Sequence, residues 1–455
     1  MKAREFADQI CRTLRSKGYQ AFLVGGCVRD ILLGREPADY DVSTDATPSQ
    51  VEAIFPGSLT VGAKFGVVIV PGEAVDSGLV AQQQVEVATF RSDMGYSDGR
   101  HPDRVEYAKS PQDDVKRRDF TINGMLLEPE TNEVLDFVGG REDLRAGIVR
   151  AIGDPETRFR EDKLRMVRAV RFAARFGYSI ESKTMQAIQR LARDIAQVSM
   201  ERLRDELTKI LTEGGAQRGF ELLDQTGLLI CLLPEIARMK GVEQPPQFHP
   251  EGDVWVHTLM MLAGLHAGSS PTLAWGVLLH DVGKPPTFTP PSGPNGRIRF
   301  DRHVEVGVKM AEEICRRFRF SNETTEQILA LVANHMRFKD VPNMKPATLK
   351  RFVRVEKFGE HLELHRLDSL SSHGKLDNHD FALRFIADTP PEQVRPARLL
   401  TGEDLIALGL KPGPAFKAIL FSVEEAQLDG SVTCREDALR LATELAKKQG
   451  DSAKA

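Results

Sequence analysis

Phe6, Ile10 and Leu14 recur every four residues, the spacing of one face of an amphipathic helix, and Gly18 marks its end. Ala21-Phe22-Leu23-Val24 is a short unbroken apolar run that stops at Gly25-Gly26 and predicts a buried strand ending in a tight turn. The pattern turns helical again from Val28 to Leu33, with Gly34 as its stop. Val67 to Val70 and Val85 to Phe90 read as two strands of a hairpin, and the Gly- and Pro-bearing segment 71–84 between them reads as a loop. After Leu144 the strand signals fade. Residues 155–235 and 253–385 are helical by spacing, with Met239 to Gly252 a plausible linker between them and a Pro-rich loop at 285–294. The tail from Leu399 to Lys448 reads as helix, a Gly409/Pro412/Gly413/Pro414 break, and more helix. The fold class expected is α+β: a mixed-sheet head followed by all-α segments. The divisions expected are 1–145, 146–238, 239–390 and 391–455.

Composition changes this picture little. The 455 residues are 41% apolar and 28% charged, as in an ordinary globular chain, and are too many for one core. A net charge of -4 means that any surface for nucleic acid must be a local basic patch. The five cysteines are odd in number and none shares CxxC spacing, which fits reduced thiols better than disulfides or a zinc knuckle. The N-terminus lacks the apolar core of a signal peptide, and no window reaches the length of a membrane span. A cytoplasmic protein with no membrane partner is expected, and no protein partner is implied.

The first chemistry lies at Asp39-Tyr40-Asp41. In a strand, residues i and i+2 point to one face, so Asp39 and Asp41 project together. Two adjacent carboxylates repel unless cations sit between them, and paired magnesium ions suit phosphoryl transfer. Glu86, on a neighbouring predicted strand, is a candidate third carboxylate. Gly25 and Gly26 let backbone amides approach a phosphate, and Arg29 lies in the first turn of the helix that follows.

With these residues, Leu23-Val24-Gly25-Gly26-Cys27-Val28-Arg29-Asp30 and Asp39-Tyr40-Asp41 resemble the head of the class II nucleotidyltransferases, the family of tRNA CCA-adding enzymes and bacterial poly(A) polymerases. Arg117-Arg118-Asp119-Phe120-Thr121-Ile122-Asn123-Gly124 resembles that family's ribose-contacting motif. Arg118 can bind triphosphate, while Asp119 and Asn123 can bond ribose hydroxyls. Glu161-Asp162-Lys163-Leu164-Arg165 resembles its nucleobase-selecting helix. A helix beginning near Glu161 would put Asp162 and Arg165 on one face, where an acceptor and a donor match the edge of cytosine or adenine. Glu161 would steady Arg165. Arg168, Arg171 and Arg175 extend a basic stripe suited to triphosphate or RNA backbone. Glu201 to Leu207 resembles the following helix of the family, and Arg91 to Pro102 resembles its flexible loop, which serves the final adenosine.

A second constellation follows: His257, His280-Asp281, His303, His335 and Asp368, with Lys284 placed to offset phosphate charge. Its order resembles the HD-type metal-dependent phosphohydrolases, and its ligand number suits two divalent ions. The same residues would equally serve a structural metal site without catalysis. His249 and His266 fit no position of the pattern. The tail from Leu399 looks like that of bacterial CCA-adding enzymes, with Lys411 and Lys417 either facing RNA or simply solvated. The resemblance implies template-independent addition of C, C and A to a tRNA 3′ end from CTP and ATP, with magnesium at the head. Poly(A) addition, or an HD phosphohydrolase with an inert head, are the alternatives.

Overall fold

The computed structural model describes residues 2–60, 66–72, 84–94, 104–292 and 296–452. It divides into two compact units: Met1–Ala237 with Leu265–Ser269, and Arg238–Gly264 with Ser270–Ala455. No helix among the described residues is long and apolar enough to cross a membrane.

The first unit begins with α1 (Ala3–Ser16), which buries Phe6, Ile10 and Leu14 as their spacing predicts. It also contains α2 (Gly26–Leu32), α3 (Pro48–Ile54), α4 (Pro111–Lys116) and α5 (Gly140–Ala146). Its strands are β1 (Ala21–Val24), β2 (Asp41–Thr44), β3 (Leu59–Thr60), β4 (Val67–Pro71), β5 (Gln84–Thr89), β6 (Arg91–Met94), β7 (Arg104–Tyr107), β8 (Met125–Leu127) and β9 (Val134–Asp136). Seven of them form one sheet in the order β3-β4-β5-β2-β1-β8-β9. Strand β1 lies inside this sheet, paired on both sides and buried at every residue, which is why its sequence is an unbroken apolar run. The hairpin of β4 and β5 is antiparallel, as expected. Strands β2 and β5 are the one parallel pair of this sheet.

The pattern of apolar positions misled in three places. Arg91–Met94, read as the start of a loop, is a strand paired with β7; residues 95–102 of that loop and 73–83 of the 71–84 loop lie outside the described residues. Strands also recur after Leu144: β10 (Ile148–Val149) pairs with β11 (Ser179–Ile180), and β12 (Phe288–Thr289) pairs with β13 (Arg299–Phe300) around the Pro-rich segment. Each has only two residues, too few to leave a period-two signal. The third place, at Glu161, bears on the site.

The rest of the first unit is helical: α6 (Pro155–Glu161), α7 (Leu164–Phe176), α8 (Ser182–Leu191) and α9 (Met200–Thr212) are its principal elements up to residue 212. The second unit is built of helices, with Trp275 fully buried in Pro271–Leu279 and packed edge-on against Phe320.

Candidate functional site

In the head, β2 begins only at Asp41, so Asp39, read as a strand residue, precedes the strand; Asp39 is exposed and Tyr40 buried, and the Asp39 charge acts on Asp41. The parallel register sets Asp41 directly beside Glu86. Burial, then Asp39 and Glu86, push the Asp41 carboxyl up to about 6. That upward push records the repulsion a divalent cation would relieve, so this donor set fits metal.

Gly25 stands at φ +79°, open to glycine at no cost, and a Cβ there would lie 3.4 Å from Arg118 Nη1 and 4.0 Å from Asp41 Oδ2. Arg118 therefore lies over the Gly25 turn, next to the acidic group. It is held by Asp114, fully buried, whose Oδ2 accepts from Arg118 Nη2 at 3.0 Å and whose Oδ1 accepts from Arg117 Nε at 2.8 Å. Against the upward push of burial, the two arginines hold the Asp114 carboxyl below its usual range. Asp114 escaped the sequence reading; its signal was an acid three and four residues ahead of a double arginine on a short helix.

Arg29, expected to reach phosphate, is only 4% exposed. Its guanidinium donates to Asp30 at 2.9 Å and to Asn123 Oδ1 at 2.6 Å, and lies over the Phe176 ring at 4.6 Å. Asn123 donates in turn to Asp119 Oδ1 at 3.2 Å, and Asp119 Oδ2 accepts from Arg168 at 2.6 Å. Burial opposes this charge, yet Arg168 and Asn123 bring the Asp119 carboxyl down to about 2. Arg29, Asp119, Asn123 and Arg168 thus form one bonded chain beneath the Gly25 turn. Arg171 continues it, paired with Glu206 at 2.7 Å and Glu213 at 3.1 Å, and Arg175 shares Glu213. The arginine stripe is largely neutralised by two glutamates of the helical segment, which sequence spacing had not connected to it.

The base-reading residues come together by a different route from the expected single helix. Glu161 closes α6, Asp162 is extended (φ -144°, ψ 104°), and α7 starts at Leu164. Asp162 and Arg165 therefore stand on either side of a helix break, where the Leu164 N–H donates to Asp162 Oδ1 at 3.1 Å. Glu161 does hold Arg165, at 2.7 Å.

In the second unit three of the cluster histidines sit at element ends. His280 caps Pro271–Leu279, His335 caps Asn322–Asn334, and His303 begins His303–Arg317. Each directs Nδ1 at the carbonyl three residues earlier: Val277 at 2.8 Å, Val332 at 2.7 Å and Phe300 at 2.9 Å. Nδ1–H donation to these carbonyls leaves Nε2 as the lone-pair nitrogen of each ring. Asp281 Oδ1 lies 4.0 Å from His303 Nε2 and 3.8 Å from His335 Nε2, and these three atoms are buried with no hydrogen-bond partner among the described residues. Ligand atoms of Asp281, His303 and His335 lie within 4.8 Å of one another, as do those of His257, His280 and Asp368. Orphaned, converging donors of this chemistry fit metal ions in two groups.

Lys284 is buried and donates to Gln244 at 2.6 Å while pairing with Asp281 at 2.7 Å. Against burial, His280 and Lys284 hold the Asp281 carboxyl well below its usual value. Burial works against charge on His257, but Asp368 at 3.2 Å and Glu251 at 2.8 Å raise its pKa to about 9. Burial pushes His335 down to about 4. Gly283 is required for space: a Cβ there would stand 2.1 Å from the His303 carbonyl oxygen.

The segment read as a linker belongs to this site. It supplies Gln244, and Glu251, which accepts from Nδ1 of both His249 (2.9 Å) and His257. His249, set aside as incidental, faces the His257 ring at 5.1 Å. Buried polar groups near the cluster had to find partners in that loop, and a His249-x-Glu251 pair six residues ahead of His257 was the available signal. His266 is exposed. A cavity of about 690 Å³ opens on Asp368, His303 and His335, with Arg297, Lys339 and Lys375 among its lining residues. Lys411, in the connection before Pro414–Asp429, and Lys417, on that helix, are both exposed.

Residues 21–150 match the model of the poly A polymerase head domain, 177–240 that of the probable RNA and SrmB-binding site of polymerase A, and 254–365 that of the HD domain. The chain is 30% identical to the CCA-adding enzyme of Levilactobacillus brevis over 439 residues, 96% of each protein. It is 44% identical to the CCA-adding enzyme of Geobacillus stearothermophilus over 219 residues, which are 48% of this chain and only 52% of that enzyme. The first relatives are thus matched over about half of their length. Among solved structures, the Bacillus stearothermophilus CCA-adding enzyme in complex with CTP superposes with a TM-score of 0.72 at 26% identity, covering 99% of this chain and 100% of that one.

Proposed function

The chain belongs to the family of CCA-adding enzymes, and on that premise we propose that it adds C, C and A to the 3′ end of tRNA without a template, from CTP and ATP. The observation that carries this reading is the strand register that sets Asp41 beside Glu86, with the Asp39 charge acting on Asp41 and Arg118 over the Gly25 turn. The similar structure bound to CTP supports it.

Asp39 and Asp41, helped by Glu86, would hold divalent ions, for which magnesium is the natural choice. Bound there, such ions supply activation of the attacking 3′ hydroxyl and stabilisation of charge on the triphosphate. The chain's own part is positioning. The Gly25-Gly26 turn admits the triphosphate close to backbone, and Arg118, fixed by Asp114, presents positive charge to it. Asp162 accepts from, and Arg165 donates to, the base edge. Asp119 and Asn123 retain acceptor capacity for ribose hydroxyls. Arg29, Arg168 and Arg171 support this floor through their ion pairs. We place the reaction in the cytoplasm, and read 1–145, 146–238, 239–390 and 391–455 as its working segments.

The test offers a tRNA lacking its terminal CCA together with CTP and ATP, and the product ends are sequenced. A CCA terminus is expected; a long A tract would replace this reading with poly(A) addition.

The converging histidines favour a second reading alongside the first: phosphoester hydrolysis in the HD segment. His257, His280, Asp281, His303, His335 and Asp368 would hold the metal, which supplies an activated water. Phosphate release that disappears in His280→Ala and Asp281→Ala is the expected result, and its persistence would remove this activity from the site.

A further inference from the structure

Two opposite charges meant to read a base must not read each other. Asp162 and Arg165 are three residues apart on a helix break, yet no ion pair joins them among the described residues. Each is engaged elsewhere. Arg165 gives Nη1 to Glu161 Oε2 at 2.7 Å and to the Arg158 carbonyl at 3.1 Å, and Nη2 to the Arg117 carbonyl at 3.1 Å. Asp162 accepts the Leu164 N–H on Oδ1 and, on Oδ2, the Nη2 of Arg202 at 2.7 Å. Arg202 stands in the first turn of α9, about forty residues along the chain, with a side chain only 23% exposed. It has no place in the catalytic or base-reading sets described above.

We propose that Arg202 is a specificity-positioning residue: it holds the Asp162 carboxylate away from Arg165 and turned so that its remaining lone pairs face the incoming base. This rests on the nucleotidyl-transfer reading. A carboxylate offers about four acceptor positions, and the two bonds to Leu164 and Arg202 leave the others free. Fixed as an acceptor, Asp162 takes a hydrogen bond from the exocyclic amine of cytosine or adenine. It meets a carbonyl oxygen, acceptor against acceptor, in uracil or guanine. Without Arg202 the carboxylate can rotate toward Arg165 and compete with Glu161 for its guanidinium. Both halves of the reader then neutralise each other, and the distinction between amine and carbonyl is lost. Glu161 does the matching work for Arg165, so the reader is two charges held apart by two outside partners.

The experiment measures single-nucleotide incorporation into truncated tRNA with CTP, UTP, ATP and GTP separately, for the unmodified chain, Arg202→Met and Arg202→Gln. For Arg202→Met, the preference for C over U and for A over G is expected to fall roughly 10- to 100-fold, the size of one well-placed polar contact. The loss should come mainly from kcat/KM for CTP and ATP. Arg202→Gln keeps an N–H donor at that place and is expected to retain part of the preference; it also serves if the methionine variant does not fold. An equal fall with all four nucleotides would make Arg202 merely structural and overturn the proposal, as would unchanged preference in both variants. An unmodified chain that incorporates neither CTP nor ATP would instead sink the nucleotidyl-transfer reading itself.

Discussion

The head and the histidine cluster both gather side chains able to hold metal, but they aim them by different means. In the head, two of the three carboxylates are set beside each other by sheet register, the third lies two residues ahead in sequence, and Arg118 only partly offsets their mutual repulsion. In the helical unit, three imidazoles are each locked by a backbone carbonyl three residues earlier, and Asp281 is held by Lys284. The first site is strained until a cation arrives; the second is oriented in advance. Pre-orientation moves the cost of assembly into folding, whereas the head carries that cost as charge at its open face.

The largest break of this comparison comes from Asp39→Asn/Asp41→Asn. It should lower nucleotide incorporation by roughly a thousandfold or more, since metal-borne charge stabilisation is worth several kcal/mol. The proposed phosphate release, if the unmodified protein shows it, should be unchanged in the same preparation. Next is Asp281→Asn, which leaves the buried Lys284 without its carboxylate. Metal uptake by the Asp281/His303/His335 group should vanish, and the metal-free protein should lose about 3 kcal/mol in denaturant titration. Gly283→Ala sharpens the contrast without touching a ligand. The added methyl meets the His303 carbonyl, so metal affinity should drop about 10- to 100-fold by equilibrium dialysis.

The smallest effect runs the other way. Asp41 has a folded pKa of about 6 against an ordinary 3.8, so the folded head binds the extra proton between those values. Ionisation therefore costs stability fully above pH 6, and that cost fades as pH falls toward 4. Asp41→Asn should raise the stability of the metal-free protein at pH 7 by at most about 3 kcal/mol and by little at pH 4. A Tm that is lower at both pH values would contradict this.

Much of the arrangement was legible. The apolar run of β1, the Gly25 turn, the β4–β5 hairpin and the order of histidines each follow from local pattern, because each is a short-range consequence of burial or backbone freedom. What was not legible depends on distant partners. Nothing near Arg29 announces that Asn123 will take its guanidinium, and nothing in α7 announces Glu206 and Glu213. The helix break at Asp162 was hidden because Glu161 to Arg165 has good helical composition; its extended backbone is stabilised instead by Leu164 and Arg202. The segment 239–252 looked like a linker because two Gly and three Pro interrupt it, while its polar residues serve a cluster elsewhere in the unit.

The parallel pairing of β2 and β5 also bears on how such a chain can change over time. Along β5, Val85 and Val87 point into the core while Glu86 points out beside Asp41. Loss of a single residue within Gln84–Thr89 would present a valine where the glutamate belongs and turn the remaining apolar side chains toward water. The strand should therefore tolerate exchange of an exposed side chain far better than any change in its length.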